Sequence, residues 1–160
     1  NSAVTIEALG RDIDRYSFFM HTGDVSYADD TGIPHIEPSP WNTTGPDAYE
    51  QVYDLFGSMI EPLAAFKPYM VLPGNHDVTC HILTDKGCAK GQTNFSALNH
   101  RFRMPSVESG ACNPVAGAVN AHMNMWYSFR AERALFVAID TESDFPGAPT
   151  TPHTRFMGGA

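Results

Sequence analysis

Two short polar turns, each opened by a glycine, carry the side chains best suited to chemistry. One turn reads Gly-Asp-Val-Ser-Tyr over residues 23–27, and the other reads Gly-Asn-His-Asp over residues 74–77. Together they offer a carboxylate, a phenol, an amide oxygen and an imidazole, from Asp24, Tyr27, Asn75 and His76. This oxygen-rich set suits hard cations such as Fe(III), Mn(II) or Mg(II), and it also accommodates Zn(II).

Each turn taken alone has an ordinary structural interpretation. A Gly-Asp after a strand commonly bonds its own backbone, and an Asn-His-Asp commonly caps a short helix. The pair is more informative, because both turns follow short apolar runs and one helical segment separates them. A β–α–β unit of this kind sets its two strands parallel and side by side. Both turns then open at the same sheet edge, where we expect a metal or phosphate site.

The elements that must position these turns follow from the apolar pattern. Tyr16–His21 is a short aromatic run that favours a strand buried on both faces, and Tyr69–Leu72 predicts a second buried strand. Between them, Asp47–Phe66 predicts a helix, with Asp47 as its cap or first-turn anion and a kink at Pro62. Its apolar positions, three or four residues apart, are Tyr49, Val52, Tyr53, Phe56, Met59, Ile60 and Leu63.

The flanking segments complete an α/β pattern. Ser2–Ile13 is typical of the end of a helix, and a further short helix is predicted around Phe95–Phe102. Met125–Phe129 and Ala134–Asp140 predict two strands joined in a hairpin. The Pro/Gly/Asp-rich segment Asp29–Pro46 predicts a loop.

Length and charge exclude several classes of protein. With 160 residues, 42% of them apolar and 18% charged, the chain is long enough for one compact domain and too apolar for a disordered one. Its net charge of −8 argues against a nucleic-acid-binding module. The longest apolar run, Ala134–Ile139, is far shorter than the roughly 20 residues of a membrane-spanning helix. We therefore expect neither nucleic acid nor a membrane among its partners.

Three cysteines and two glycosylation sequons favour a secreted protein. Cys80, Cys88 and Cys112 are clustered, and the sequons begin at Asn42 and Asn94. The spacing of the cysteines lacks the close ligand pair of a structural zinc site. Because their number is odd, each of the three possible disulfides leaves one thiol that is free or pairs outside these residues.

The turns resemble the signature of purple acid phosphatases, the binuclear-metal branch of the calcineurin-like metallophosphoesterases. The matching stretches are GDVSYAD at Gly23–Asp29 and LPGNHDV at Leu72–Val78. The aromatic segment Trp126–Pro146 is similar to the one that follows in secreted fungal members. Tyr27 is the most discriminating residue, since other metallophosphoesterases lack a tyrosine three positions after the aspartate.

This resemblance implies an acid phosphatase that hydrolyses phosphate monoesters at a binuclear centre of Fe(III) and a divalent Zn, Fe or Mn ion. Asp24 would bridge the two metals, and Tyr27 would bind the ferric ion as a phenolate. Asn75 would bind the divalent ion. His76 would contact the phosphoryl oxygens and help to protonate the leaving group. A metal pair of this kind activates water and clamps the phosphoryl group for in-line displacement.

Other parts of the family pattern are absent from these residues. The pattern begins with Asp-x-Gly on a strand before the first helix and ends with Val-x-x-His and Gly-His-x-His. Here no Asp-x-Gly precedes the first turn, no Val-x-x-His follows residue 122, and Gly-His-x-His does not occur. We therefore expect residues 1–160 to be the central part of a catalytic domain, a partial αββα metallophosphoesterase sandwich truncated at both ends, with little activity by itself. The alternatives are a catalytically inactive binding module and a related phosphodiesterase. The role of Asp77, as a cap or as an orienting residue, stays open, as does the oligomeric state.

Overall fold

The computed structural model describes residues 2–30, 47–80, 91–93, 95–105 and 124–141. Helices and strands alternate through these ranges, as the α/β prediction requires. The elements are α1 (Ser2–Arg11), β1 (Phe19–Thr22), α2 (Ala48–Ala64), β2 (Tyr69–Leu72), α3 (Ser96–Arg101), β3 (Tyr127–Ala131) and β4 (Ala134–Ala138). This arrangement is consistent with a partial α/β sandwich and confirms the predicted fold class.

Strands β1 and β2 are parallel neighbours, which confirms the predicted β–α–β unit. Phe19 lies opposite Tyr69, and Thr22 lies opposite Leu72, so the two strands end at the same level. The pairing continues one residue further, because the Gly23 amide donates to the Leu72 carbonyl at 3.1 Å. The two polar turns therefore leave the sheet from the same edge.

Helix α2 is the element that connects these strands, and its apolar face forms much of the core. Six of its seven predicted apolar positions are buried, and Met59 is partly buried against the same core. Asp47 occupies the position before the helix, but its side chain makes no capping hydrogen bond. The helix ends at Ala64, two residues after Pro62, which has no backbone N–H to donate.

The prediction that β1 is buried on both faces is wrong. Phe19 is buried, whereas Met20 is 39% exposed and Thr22 is also exposed. Side chains alternate between the two faces of a strand, and within the described ranges β1 pairs only with β2. One face therefore packs on the core, and Met20 lies on the other. The strand also begins at Phe19, three residues later than predicted.

The remaining elements lie close to their predicted positions. Helix α1 ends at Arg11, and Ile13 begins a short 3-10 turn instead of continuing the helix. Helix α3 lies inside the predicted range. Strands β3 and β4 pair antiparallel as the predicted hairpin, with Ala131 opposite Ala134. Glu132, in the connecting turn, has a φ of 51°, the left-handed conformation that two-residue hairpin turns require.

The core joins α2, the β1–β2 pair, α3 and the hairpin. Its most deeply buried apolar side chains include Val52, Leu63, Val71 and Leu98. The hairpin is tied to this core by Tyr127, whose hydroxyl donates to the Val71 carbonyl at 2.8 Å. Among the described residues, no helix combines the length and the apolar character needed to cross a membrane.

Cys80 is buried and forms a disulfide. This removes the alternative in which Cys80 is the unpaired cysteine. The other two cysteines, both sequons (Asn42 and Asn94) and most of the predicted loop Asp29–Pro46 lie outside the described residues.

Candidate metal centre

The two glycine-opened turns contact each other closely at the ends of β1 and β2. A Cβ atom on Gly74 would collide with the backbone nitrogen and the carboxylate of Asp24. Gly74 has an extended backbone, so this close approach, and not its φ angle, is what requires a glycine. Position 23 requires a glycine because of its backbone conformation, since its φ of 79° lies in the left-handed region. The glycines therefore allow the two turns to meet.

Asp24 connects the two turns. Its Oδ1 accepts a hydrogen bond of 3.1 Å from the backbone amide of His76, in the second turn. Its Oδ2 accepts a hydrogen bond of 3.0 Å from the Tyr27 hydroxyl, in its own turn. The carboxylate is thus held between groups from both strand ends.

Tyr27 adopts an unusual backbone conformation that directs its side chain toward Asp24. Its φ is 52°, and that of Asp24 is 49°, values that residues other than glycine seldom adopt. Conformations of this kind cost on the order of 1–3 kcal/mol and are concentrated at functional sites. Tyr27 is 49% exposed, and its ring lies 4.5 Å from the His76 ring, centroid to centroid. The hydrogen bond to Asp24 raises the pKa of the Tyr27 phenol.

Asn75 is exposed, and it lines a different cavity from Tyr27. Together with Asp24 it lines a groove of about 540 Å³ between the strand ends and β4. Tyr27 and Asp24 line a neighbouring hollow of about 720 Å³. Asp24 therefore lines both cavities, one together with Tyr27 and the other together with Asn75.

His76 is oriented by a residue to which the sequence alone assigned no role. Its Nδ1 lies 2.9 Å from Asp29 Oδ2 and 3.0 Å from Oδ1, and the Asp29 carboxylate is fully buried. An ionised carboxylate only accepts hydrogen bonds, so Nδ1 carries the proton and Nε2 is the free nitrogen of the neutral ring. Burial raises the pKa of Asp29 to about 6, and the adjacent His76 opposes this shift.

Asp29 could have been suspected from its position five residues after Asp24, in a stretch that also holds Tyr27. Only the folded chain shows that it faces His76, which lies 47 positions away. A short 3-10 turn over Ala28–Asp30 directs the carboxylate inward.

Asp29, His76 and Asp30 also have ligand atoms within 4.8 Å of one another, a spacing that could hold a cation. However, both oxygens of Asp29 already face the imidazole Nδ1. The arrangement is therefore accounted for as a carboxylate–imidazole pair with Asp30 beside it.

Asp77 both caps its own turn and links it to the other turn. Its Oδ2 accepts a hydrogen bond of 2.8 Å from the Gly74 amide. The Val25 amide donates to both carboxylate oxygens, at 3.2 Å each. The hydroxyl of Tyr53, from α2, is the third donor, at 2.8 Å from Oδ1. Burial raises the pKa of Asp77, and these hydrogen bonds oppose that shift.

His21, in β1, lines the same hollow as Asp24 and Tyr27. Its Nδ1 lies 3.0 Å from the Tyr69 hydroxyl, and its ring packs 5.6 Å from that of Phe56. Burial lowers the pKa of His21, although the nearby Asp24 opposes the shift. A neutral imidazole is therefore favoured at this position.

The sequence profile of the family described as calcineurin-like phosphoesterase matches residues 3–141 of this chain. The chain belongs to the calcineurin-like phosphoesterase family. The resemblance carried by the turns at residues 23–27 and 74–77 is thereby confirmed at the level of the family.

Several named relatives of this calcineurin-like phosphoesterase are phosphatases. It is 36% identical to "Acid phosphatase A" of Cryphonectria parasitica over 92% of this chain and 31% of that protein. It is 34% identical to "Acid phosphatase" of Aspergillus ficuum over 63% of this chain and 19% of that protein. It is 29% identical to "Probable purple acid phosphatase 20" of Arabidopsis thaliana over 83% of this chain and 23% of that protein. The chain thus spans less than a third of each. No solved structure matches it significantly.

Proposed function

We propose that this chain carries part of the catalytic centre of an acid phosphatase that hydrolyses phosphate monoesters. The observation that supports this most directly is the position of Asp24. Its carboxylate lies at the ends of two parallel strands, bonded to the Tyr27 hydroxyl and to the His76 amide. The relatives named acid phosphatase and purple acid phosphatase support the same activity.

The residues of the two turns fit a binuclear metal centre. Asp24 would bridge the cations, with Tyr27 on Fe(III) and Asn75 on a divalent Zn, Fe or Mn ion. The Tyr27 and Asp24 oxygens lie 3.0 Å apart and share a proton, which a cation would replace. Bound there, the metal pair would activate water and offset the negative charge of the phosphoryl group. The chain itself has a net charge of −8, so an anionic substrate needs this compensation.

His76 is the residue best placed to handle a proton. Asp29 holds Nδ1, so Nε2 is the nitrogen that remains for the substrate. In its protonated form His76 would donate through Nε2 to the phosphoryl oxygens and to the oxygen of the departing alcohol. Asp29 would act as a positioning residue, since it stabilises the imidazolium and fixes the orientation of the ring.

The complete centre requires more of the protein than these 160 residues. The chain spans 31% of the first relative named above, and it has no Gly-His-x-His motif, which the family pattern includes. We therefore propose that further ligands come from other parts of the longer polypeptide and that the isolated fragment has little turnover. The disulfide at Cys80 supports maturation in an oxidising compartment and so favours secretion.

The test uses the complete natural protein that contains this chain. It should hold two metal ions, absorb visible light through a tyrosinate–iron band, and hydrolyse para-nitrophenyl phosphate. Tyr27→Phe should abolish the band, and Asp24→Asn should lower both the metal content and the hydrolysis. A protein that prefers bis(para-nitrophenyl) phosphate would instead be a phosphodiesterase. One that binds metal without turnover would be an inactive binding module.

A further inference from the structure

We propose that Tyr53 and Asp77 form a positioning pair that sets the separation of the two turns, so that helix α2 controls the geometry of the centre. The inference deepens the proposed function and rests on it, because it takes Asp24 and Asn75 as metal ligands. Neither Tyr53 nor Asp77 needs to contact a metal or the substrate for this role.

Asp77 is bonded to the backbone beside each proposed ligand. The Val25 amide belongs to the peptide bond that follows Asp24, and it lies 3.2 Å from both carboxylate oxygens. Gly74 is the residue before Asn75, and its amide, in the peptide bond with Pro73, lies 2.8 Å from Oδ2. One buried carboxylate therefore holds a peptide group from each turn, so its own position determines how far apart the turns lie.

Tyr53 determines where that carboxylate lies. Its hydroxyl donates to Asp77 Oδ1 at 2.8 Å, and its side chain is only 1% exposed. The ring is enclosed in the core, 5.3 Å from the Tyr49 ring, with the Arg101 guanidinium also 5.3 Å from its centre. The side chain therefore has little freedom to follow a movement of Asp77. Without this hydroxyl, Oδ1 would keep only the longer hydrogen bond from Val25.

The two turns are packed against each other at Gly74 and Asp24. Gly74 already lies so close to Asp24 that it has no space for a Cβ atom. A shift of the Asp77 carboxylate would therefore be transmitted to Asp24 and Asn75 together. Outer residues that hold metal ligands in place commonly change metal affinity or activity by about 10- to 100-fold.

Tyr53→Phe tests the pair, with Tyr127→Phe as its matched control. Both tyrosines are buried, and both donate one hydrogen bond of 2.8 Å, but Tyr127 donates to the Val71 carbonyl within β2 and not to a residue of either turn. In the complete protein we expect similar decreases in Tm for the two variants. Only Tyr53→Phe should weaken metal binding by about 10-fold and lower kcat with little change in KM.

Amide hydrogen exchange provides a readout that does not depend on metal. In the metal-free protein, Tyr53→Phe should accelerate exchange at the Val25 and Gly74 amides, and Tyr127→Phe should not. Asp77→Asn should weaken metal binding more than Tyr53→Phe, because an amide cannot accept all the hydrogen bonds of the carboxylate. Asp77→Glu keeps a carboxylate, so it should lose less metal affinity than Asp77→Asn.

The outcomes separate the two proposals. Equal losses of metal affinity in Tyr53→Phe and Tyr127→Phe, or unchanged exchange at Val25 and Gly74, would overturn the positioning role. A wild-type protein that neither binds metal nor hydrolyses phosphate monoesters would overturn the proposed function instead. The exchange rates of the same two amides would then still decide whether Tyr53 sets the turns.

Discussion

The imidazole Nδ1 of His76 lies 2.9 Å from a carboxylate oxygen of Asp29, which is fully buried beside the first turn. This pairing joins a residue of the GDVSYAD segment to one of the GNHD segment, 47 positions further along the chain. It selects the ring nitrogen that carries the proton and leaves the other for chemistry.

Asp29→Asn should reduce the turnover of the complete protein more than its substrate affinity. The amide keeps the shape of the side chain but cannot stabilise an imidazolium at His76, so we expect kcat to fall by about 10-fold or more. Steady-state kinetics against pH would measure this loss. Asp30→Asn is the comparison, because Asp30 lies in the same short turn. Equal losses in both variants would favour a cation held by Asp29, Asp30 and His76 over the carboxylate–imidazole pair.

Gly74→Ala should destabilise the protein, whereas Gly57→Ala should not. The added methyl group at Gly74 would collide with Asp24, and overpacking of this kind costs about 1–3 kcal/mol. Gly57 lies in α2 with open space around it, so alanine there should add roughly 0.5–1 kcal/mol through helix propensity. Thermal unfolding of the two variants beside the wild type is the measurement. A Gly74→Ala protein as stable as the wild type would contradict the close contact between the turns.

Stability should decrease in strongly alkaline solution because of buried tyrosines. Burial raises the pKa of Tyr127 from 10.0 to about 12 in the folded protein. The folded state therefore keeps the phenol protonated, and its stabilising effect is complete below pH 10 and lost as pH rises toward 12. Urea unfolding across this range measures the loss. Tyr127→Phe should be less stable than the wild type by about 1 kcal/mol at neutral pH. Its free energy of unfolding should nevertheless fall less as the pH rises. Equal losses of stability in the wild type and in Tyr127→Phe would contradict a raised pKa at Tyr127.

Reduction of the Cys80 disulfide should lower the Tm of the protein. Native disulfides typically contribute about 2–5 kcal/mol in secreted domains, and Cys80 is buried only three residues beyond Asp77. Mass mapping of peptides under non-reducing conditions would identify its partner. Detection of Cys80 as a free thiol in the purified protein would contradict the structure.

The local pattern predicted the elements whose faces differ clearly in polarity. The apolar spacing in α2 identified its buried face, because a helix at the surface of a core must present one apolar stripe. The run Tyr69–Leu72 matched β2 at both ends. Placing the two turns together needed only the rule that the strands of a β–α–β unit are parallel, and the register of β1 and β2 agrees with it.

The burial of β1 could not be predicted in the same way. Its residues are apolar enough for a fully covered strand, but coverage depends on which elements pack on each face. In the part of the chain that the structure describes, Met20 lies on the face with less cover. A property that depends on neighbours distant in sequence leaves no local signal.

The sequence by itself determined the chemical types at the strand ends: the Asp24 carboxylate, the Tyr27 phenol, the Asn75 amide and the His76 imidazole. It also determined that the two turns would lie at neighbouring strand ends, since the strand–helix–strand order is local. The tertiary structure alone decided that Asp29 holds His76 and that Asp77 joins the two turns. Those contacts connect residues 47 and 52 positions apart, and only the packing of the sheet and α2 brings them within hydrogen-bond distance.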